Sequence, residues 1–287
     1  MPELPEVERV RRTVGPRVIG RAVESVSVHR REVVATERDP SAGFSRSRAD
    51  ARPSRLNKRE LLAGDEISSI DRLGKQLAIV GASGRVICVH LGMTGHLEWV
   101  ERPSKREHVH VAWRLDDGSS VEFRDPRRFG GLWTLHDRNA LVERRWAVLG
   151  PDALEAEGGR LFELTRGASR SLKSVLLDQR VLAGVGNIYA DEALFRAGLR
   201  PGRGAGRVSR ADWERLAGSI REVLTEAVEA GGSTIRDYAD GEGNAGGYQT
   251  RHAVYGRSGM ACVRCGTALR SRVIAQRTTV YCPTCQR

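Results

Sequence analysis

Four cysteines near the C-terminus constrain the fold of this chain more than any other feature. They form two pairs, Cys262-x-x-Cys265 and Cys282-x-x-Cys285, with sixteen residues between the pairs. Two such knuckles are typical of a tetrahedral zinc site with four thiolate ligands, and a disulfide framework is the disfavoured alternative. The fifth cysteine, Cys88, lies in an apolar run and is expected in the core. Since the protein supplies all four ligands, we predict one structural Zn²⁺ ion and look for catalysis elsewhere.

Positive charge is concentrated around these cysteines. The chain has a net charge of +11, which favours a polyanionic partner such as nucleic acid. Residues 251–287 contain seven arginines and neither Asp nor Glu, so they carry +7 of that excess. Four thiolates on Zn²⁺ would lower this local charge to about +5. A solvated charged face is the simpler alternative, but the absence of carboxylates favours a phosphate-binding module, with Arg277 between the knuckles as a contact.

Several classes of protein are excluded by the sequence. The acidic start MPELPEVERV is unlike a signal peptide, and no apolar run approaches the ~18 residues of a membrane span. Aromatic residues make up only 5%, which disfavours a stacking platform for single strands. The chain has no GxxxxGK[ST] loop. We therefore expect a cytoplasmic protein without membrane association.

The first half of the chain is predicted to be one helix followed by strands. Apolar residues repeat at helical spacing over 3–19, where Pro16 should kink or end the helix and Gly20 should stop it. Strands are predicted over 23–28, 66–70, 76–80, 85–90, 108–115, 119–123 and 131–135. This density predicts an antiparallel sandwich or barrel, and the polar residues 36–57 predict a long surface loop.

The second half is predicted to be helical as far as the cysteines. Helices are expected over 171–180, 187–196 and 209–229, the last opened by Ser209. Residues 239–248 are rich in glycine and predict a mobile loop. The whole is an α+β, multidomain pattern.

Two further segments suggest chemistry. If Met1 is removed, Pro2 is a free secondary amine, and an α-amino group with a pKa near ~7.7–8.0 is far more nucleophilic at neutral pH than a lysine. Glu3 and Glu6 could then transfer protons, although acidic residues also suit a helix start. Around Gly184 and Gly186 the chain could approach a ligand closely, with Asn187 capping the next helix for a phosphate, or could simply turn between two helices.

Five motifs resemble a known family and occur in the family's order over nearly the whole chain. They are Met1-Pro2-Glu3-Leu4-Pro5-Glu6-Val7-Glu8, His90-Leu91-Gly92-Met93-Thr94-Gly95, Asp125-Pro126-Arg127-Arg128-Phe129-Gly130, Gly184-Val185-Gly186-Asn187-Ile188-Tyr189-Ala190 and Val254-Tyr255-Gly256-Arg257. Together they closely resemble bacterial formamidopyrimidine-DNA glycosylase.

The resemblance implies a fold, an activity and a domain division. The fold is an N-terminal helix with an antiparallel β-sandwich, then a helix-two-turn-helix domain with a four-cysteine β-hairpin zinc finger. The implied limits are 1–149 for the catalytic domain, 150–159 for a linker, 160–250 for the helical DNA-binding domain and 251–287 for the finger. The implied activity is that of a monomeric glycosylase and AP lyase that excises 8-oxoguanine and formamidopyrimidines from damaged double-stranded DNA.

The resemblance also implies roles for individual residues. Pro2 would attack the sugar, Glu3 would shuttle protons with Glu6 nearby, Lys75 would assist β-elimination and Arg277 would assist δ-elimination. The implied DNA contacts are His90, Met93, Arg106, His108, Arg127, Phe129, Arg170, Asn187 and Tyr189. Among these, Met93, Phe129 and Arg127 would fill the void left by an extruded base.

The chain departs from the family pattern in several places. Gln76 stands where an aromatic residue is usual, so Lys58 is an alternative to Lys75. Ala168 replaces an expected basic contact, and the loop 233–248, which in the family closes over the flipped base, is unusually rich in glycine. Two other functions are retained as alternatives: an endonuclease VIII-like glycosylase for oxidised pyrimidines, and a zinc-finger DNA-binding protein without catalysis.

Overall fold

The computed structural model describes residues 2–37, 56–103, 106–235 and 238–287. They form two compact units. The first contains Pro2, Glu6–Ala147 and Ser233–Gly246, and the second contains Glu3–Pro5, Val148–Gly232 and Gly247–Arg287. Most of the predicted loop 36–57 lies outside the described residues. No helix within these described ranges has the length and hydropathy needed to cross a membrane.

The described part of the first unit contains one long helix and nine strands. The helix α1 is Leu4–Val18. The strands are β1 Val23–Val28, β2 Val34–Thr36, β3 Ile67–Leu73, β4 Gln76–Gly81, β5 Val86–His90, β6 His96–Val100, β7 Val109–Leu115, β8 Ser120–Arg124 and β9 Gly131–Leu135, and a short helix α2, Arg138–Leu141, follows them. They form a four-stranded sheet in the order β1-β7-β8-β6 and a five-stranded sheet in the order β2-β9-β5-β4-β3. Among these nine strands only the β2–β9 pair is parallel, so the predicted antiparallel sandwich is confirmed in its essentials.

Burial on both faces explains why β4 is apolar from Leu77 to Val80 and β5 from Val86 to Val89. Leu77 and Ile79 of β4 face the core between the sheets, which also receives Phe123 from the other sheet. Ala78 and Val80 point the opposite way, into a second cluster that includes residues of α2. Strands covered on both sides lose the polar alternation that a half-exposed strand shows.

The helix α1 passes through Pro16 and ends at Val18. Of the two predicted effects of Pro16, a kink or an end of the helix, the end at that residue is therefore wrong. A proline removes one backbone donor, and here this happens within the last turn. Val14 and Val18 are both buried, and their packing holds the final turn in place.

The second unit is helical, with a β-hairpin near its end. Its helices are α3 Gly158–Thr165, α4 Leu172–Leu176, α5 Asn187–Arg196 and α6 Arg210–Glu229, and its strands are β10 Arg270–Ile274 and β11 Arg277–Tyr281. The sequence did not predict α3, and α4 is shorter than expected. The helices share one apolar core centred on Trp213 and Tyr189. A smaller cluster joins Phe195 of α5 to Val254 and to the cysteine module.

Candidate active site and metal centre

The carboxylate of Glu3 lies at the N-terminus of α5. Glu3 is only 3% exposed, and its oxygens accept hydrogen bonds from the backbone N–H groups of Gly186 at 2.8 Å, Ile188 at 2.9 Å and Tyr189 at 3.4 Å. The first N–H groups of a helix have no acceptor within the helix, and the helix dipole favours an anion there. Three backbone N–H groups therefore hold the carboxylate of the residue that follows Pro2 directly in the chain.

This arrangement corrects the predicted role of Asn187 as the helix cap. The N-cap residue is Gly186, and the Asn187 side chain instead donates to the carbonyl oxygen of Thr278 at 3.2 Å. The backbone N–H groups at the start of α5, which were expected to bind a phosphate, donate to the Glu3 carboxylate instead. A Cβ atom on Gly186 would lie 2.3 Å from the Glu3 carboxyl carbon, so the close approach requires glycine. Glu3 and Gly186 are 183 residues apart, and no local pattern could have paired them.

Pro2 and Glu6 are both buried in the first unit. The Glu6 carboxylate accepts a hydrogen bond from the N–H of Ser233 at 2.7 Å. The backbone carbonyl oxygen of Glu6 accepts one from the Tyr238 hydroxyl at 3.2 Å. These bonds attach the segment around residue 233 to the first turn of α1. They favour an anchoring role for Glu6 over the predicted proton transfer.

Lys75 directly precedes β4, and His90 ends the neighbouring strand β5 of the five-stranded sheet. Lys75 is in the tight β3–β4 turn, and the next residue, Gln76, pairs with His90 across the sheet. Burial lowers the pKa of His90 to about 3, and the nearby charges of Lys75 and Arg145 act in the same direction. His90 is therefore neutral at physiological pH, and its Nδ1 accepts the N–H of Gly92 at 2.9 Å.

The unusual residue Gln76 has a specific partner in this chain. Its side-chain oxygen accepts the thiol of buried Cys88 at 3.2 Å, so a polar group in the place of an aromatic ring is satisfied. Lys58, the alternative to Lys75, is exposed on the short 3₁₀ helix Lys58–Leu61. Lys75 is only 8% exposed, and its charge acts on His90, which makes Lys75 the better candidate.

A buried carboxylate joins the two loops that carry the predicted void-filling residues. Asp125 accepts the hydroxyl of Thr94 at 2.6 Å and the backbone N–H groups of Arg127 at 3.2 Å and Gly130 at 2.7 Å. Gly92 has a φ of 64°, and a Cβ atom there would lie 2.4 Å from the Gly130 nitrogen. The loops after β5 and β8 are thus held in one fixed arrangement. Sequence reasoning assigned no role to Asp125, although an Asp before Pro-Arg is a known turn signal.

These joined loops present the three side chains that the resemblance singles out. Met93 is 43% exposed. The Arg127 guanidinium lies 4.8 Å from the centre of the Phe129 ring. The structure therefore gives Met93, Arg127 and Phe129 a common support.

Arg106 and His108 lie in the segment that joins β6 to β7 of the four-stranded sheet. Arg106 forms ion pairs with Glu98 at 2.6 Å and with Glu122 at 3.4 Å, so part of its charge is already compensated. His108 is exposed and has a φ of 64°, a strained value for a residue other than glycine. Of the two, His108 is the more accessible to a phosphate.

In the second unit, Arg170 is accessible and Tyr189 is not. The exposed Arg170 side chain pairs with Asp178 at 2.8 Å, and hydrogen bonds from Arg180 and Arg170 hold the pKa of Asp178 to about 2. Tyr189 is 1% exposed, and its ring packs against Tyr248. This burial argues against the predicted DNA contact by Tyr189, for which core packing is the better interpretation.

A fully buried ion pair links α5 to the hairpin. Lys173 Nζ lies 2.7 Å from Asp191 and donates to the Thr279 hydroxyl at 2.8 Å, while Asp191 accepts the N–H of Val280 at 3.0 Å. Burial lowers the pKa of Lys173. No local sequence signal marks this pair, because its members are separated in the chain.

The four cysteines converge on one point, as their spacing predicts. Their sulfur atoms all lie within 4.8 Å of one another, with Cys262 and Cys285 3.9 Å apart and Cys265 and Cys282 3.6 Å apart. A tetrahedral ion with Zn–S bonds of about 2.3 Å requires sulfur atoms about 3.8 Å apart. The donor set therefore fits Zn²⁺ and leaves no position for a substrate.

Arg277 begins β11, directly after the two-residue turn of the hairpin. Ala275 and Gln276 both have positive φ, as the tightest hairpin turn requires. Arg277 is exposed there, at the end of the hairpin away from the knuckles.

Comparisons with known proteins cover the whole chain. Domain models match formamidopyrimidine-DNA glycosylase in its N-terminal domain at residues 1–132 and its H2TH domain at 149–239, and a zinc finger found in FPG and IleRS at 260–287. The formamidopyrimidine-DNA glycosylase of Pseudomonas putida is 44% identical and that of Alkalilimnicola ehrlichii 42% identical, each covering 100% of both chains.

Solved structures show the same similarity. The MutM (FPG) protein of Thermus thermophilus is 40% identical, with a TM-score of 0.81 over 99% of this chain and 98% of that chain. A mutant of the Lactococcus lactis FPG, in complex with DNA containing Fapy-dG, is 30% identical, with a TM-score of 0.85 over 100% of both chains. This chain belongs to the formamidopyrimidine-DNA glycosylase family.

Proposed function

We propose that this protein is a bifunctional DNA glycosylase and AP lyase of base excision repair that removes 8-oxoguanine and formamidopyrimidines from damaged double-stranded DNA. The observation that carries the proposal is the buried Glu3 carboxylate, held by three backbone N–H groups and directly following Pro2. Lactococcus lactis relatives have been solved with DNA containing Fapy-dG and with DNA containing an abasic site, which correspond to the substrate and the intermediate of such an enzyme.

The chemistry follows from the secondary amine of Pro2. Once Met1 is removed, the Pro2 nitrogen attacks C1′ of the damaged nucleoside, the bond from C1′ to the base breaks, and the base leaves with a proton. The sugar ring then opens: the C1′–O4′ bond breaks, O4′ takes a proton, and C1′ forms a cationic iminium with the Pro2 nitrogen, which makes the C2′ hydrogen acidic. Loss of that proton expels the 3′ phosphate, and a second elimination expels the 5′ phosphate. Glu3 supplies and accepts the protons at the sugar.

The other site residues bind and orient the DNA. Lys75 and Arg277 offer positive charge to the phosphates that leave in the β- and δ-elimination steps. A base must leave the stack before its C1′ can be attacked, and Met93, Phe129 and Arg127 on their joined loops fill the space. Zn²⁺ stabilises the finger and takes no part in the reaction.

Three further predictions from the sequence are part of this proposal. They are the domain limits at 149, 159 and 250, the monomeric state and the cytoplasmic location. Two points support the cytoplasmic location. A reducing compartment keeps the four zinc-binding cysteines as thiolates, and the proposed substrate is DNA.

Two alternatives are tested by substrate choice and by trapping. An endonuclease VIII-like enzyme would excise thymine glycol faster than 8-oxoguanine opposite cytosine, and the proposed enzyme would do the reverse. A DNA-binding protein without catalysis would excise neither base.

The decisive experiment is borohydride trapping with the processed protein and DNA containing 8-oxoguanine. Borohydride reduces an iminium to a stable amine, so the wild type should become covalently bound to DNA. The Pro2→Gly variant should trap far less. Equal trapping by this variant, or no adduct with the wild type, would show that Pro2 is not the nucleophile.

A further inference from the structure

Residues 238–244 lie along one face of α1. Four of them contact residues of the helix that are spaced three or four positions apart, which places those helix residues on a single stripe. The contacts are Tyr238 with Glu6, Asp240 with Arg9, Gly241 with Thr13 and Glu242 with Arg17. A segment that its glycine content predicts to be mobile is therefore bound to the helix at every turn.

Asp240 is the centre of this contact. Its buried carboxylate accepts the Nε–H of Arg9 at 3.2 Å and, through the other oxygen, the backbone N–H groups of Glu242 at 3.0 Å and Asn244 at 2.9 Å. One side chain thus shapes the turn 240–244 and pairs it with α1. A buried carboxylate with this number of donors is costly to disrupt.

Gly241 allows the close approach. Its N–H donates to the Thr13 hydroxyl at 3.0 Å, and its carbonyl oxygen accepts the N–H of Trp99 at 2.9 Å. A Cβ atom at this position would lie 2.3 Å from a methyl carbon of Val14. A glycine is therefore needed at position 241 for the segment to pack closely on α1, and not to make the segment mobile.

The position of this segment relates it to the base that is removed. The helix α1 begins at Leu4, two residues after Pro2, and both Ser233 and Tyr238 bind its first turn through Glu6. A base bonded to the C1′ atom that Pro2 attacks must lie within a few ångströms of that turn. Ser233 and Tyr238, which bind this turn, are therefore placed next to the base, whereas residues 240–242 contact later turns of α1.

We infer that the Arg9–Asp240 pair is a specificity-determining positioning element: it fixes residues 238–244 against α1 and so holds Tyr238, at the end of that segment nearest Pro2, beside the base-binding site. The inference rests on the proposed function. It predicts that the pair matters for excision of a base but not for cleavage at a site that has already lost its base.

The test compares two reactions in Arg9→Gln, Asp240→Asn and the double variant. Asp240→Asn keeps an oxygen for the two N–H groups of the turn and loses the charge. Single-turnover excision of 8-oxoguanine opposite cytosine should fall about tenfold in each single variant and no further in the double, since the two residues act as one unit. Strand cleavage at a preformed abasic site should stay within about twofold of wild type.

Arg17→Gln is the matched control, because it removes the exposed ion pair with Glu242 on the same two elements. It should change neither reaction. Equal losses of excision and abasic cleavage in Asp240→Asn, or unchanged excision in both single variants, would overturn the inference while leaving the proposed function intact. Failure of the wild type to cleave abasic DNA would overturn the proposed function and the inference with it.

Discussion

Glu3 illustrates at the scale of one residue what a sequence can and cannot predict. Its place after Pro2 made it a candidate for proton transfer from the first residues alone. The three N–H groups that hold it belong to α5 and the residue before it, and could not be foreseen, since they depend on a long-range contact that only the fold creates. The same contact displaced Asn187 from the capping role that local rules assigned to it.

Replacing Glu3 by Gln separates the chemical role of the carboxylate from its structural role. Glutamine keeps one oxygen for the N–H groups of α5 but has no titratable proton. We expect base excision to slow by about 10²–10⁴-fold, the usual worth of a positioned acid or base, with DNA binding retained. Single-turnover kinetics and binding to an uncleavable abasic analogue would measure the two effects. Weakened binding and excision in equal proportion would indicate that Glu3 only caps α5.

Glu8 gives the protein a defined response to acid. Burial raises its pKa, but hydrogen bonds from Arg11, Arg12 and Arg72 outweigh this and lower it from 4.5 to about 2. A carboxyl whose pKa is lower in the folded state stabilises the fold above its unfolded pKa. This stabilisation is lost as the pH falls from about 4.5 to about 2.

The Glu8→Gln variant should therefore be less stable than wild type by about 1–2 kcal/mol at pH 7, after allowance for screening by solvent. The difference should shrink towards zero near pH 2. Urea unfolding of both proteins at several pH values would measure it, and the groups they share cancel in the comparison. A difference that does not vary with pH would mean that Glu8 acts through packing alone.

Among the elements, those defined by apolar periodicity were predicted and those defined by polar contacts were not. β4 and β5 are apolar apart from Gln76 and His90, and the predicted ranges nearly match the observed ones. β6 was missed because its buried residues include His96 and Glu98, which find partners only in the folded sheet. The loop arrangement around Asp125 was missed for the same reason, although the motifs that contain it were recognised.

The zinc finger is the element whose removal has the clearest expected result. Cys262→Ser replaces a thiolate with a hydroxyl that stays protonated, so the remaining three ligands should lose the ion. Metal content should fall from one zinc per chain towards zero, and affinity for DNA should drop at least about tenfold as the hairpin carrying Arg277 loses its support. Cys88→Ala, which removes a buried thiol outside the site, should keep the metal. Unchanged DNA binding without zinc would contradict this role of the finger.

For the molecule as a whole, the distribution of charge was the most informative property of the sequence. The total of +11 suggested only a polyanion, whereas its concentration after residue 250 pointed to one module. Family motifs then indicated the architecture, which the two sheets, the helical unit and the cysteine cluster confirm. Composition could not show which arginines are available. Many pair with carboxylates or cap helices in the folded chain, as Arg106 and Arg264 do.

The salt dependence of DNA affinity distinguishes an arginine that contacts phosphate from one whose guanidinium is bonded within the protein. Arg277 is exposed at the hairpin turn, and its replacement by Ala should reduce the slope of log K against log salt concentration by about 0.9, the contribution of one phosphate contact to B-DNA. Arg264 is the control in the same finger, since its guanidinium donates to the carbonyl oxygens of Phe195 and Arg196 and lies 4.4 Å from the centre of the Phe195 ring. Arg264→Ala should keep the wild-type slope, provided that its zinc content is unchanged. Fluorescence anisotropy with an uncleavable abasic duplex would supply the slopes, and an unaltered slope in Arg277→Ala would remove Arg277 from the phosphate contacts.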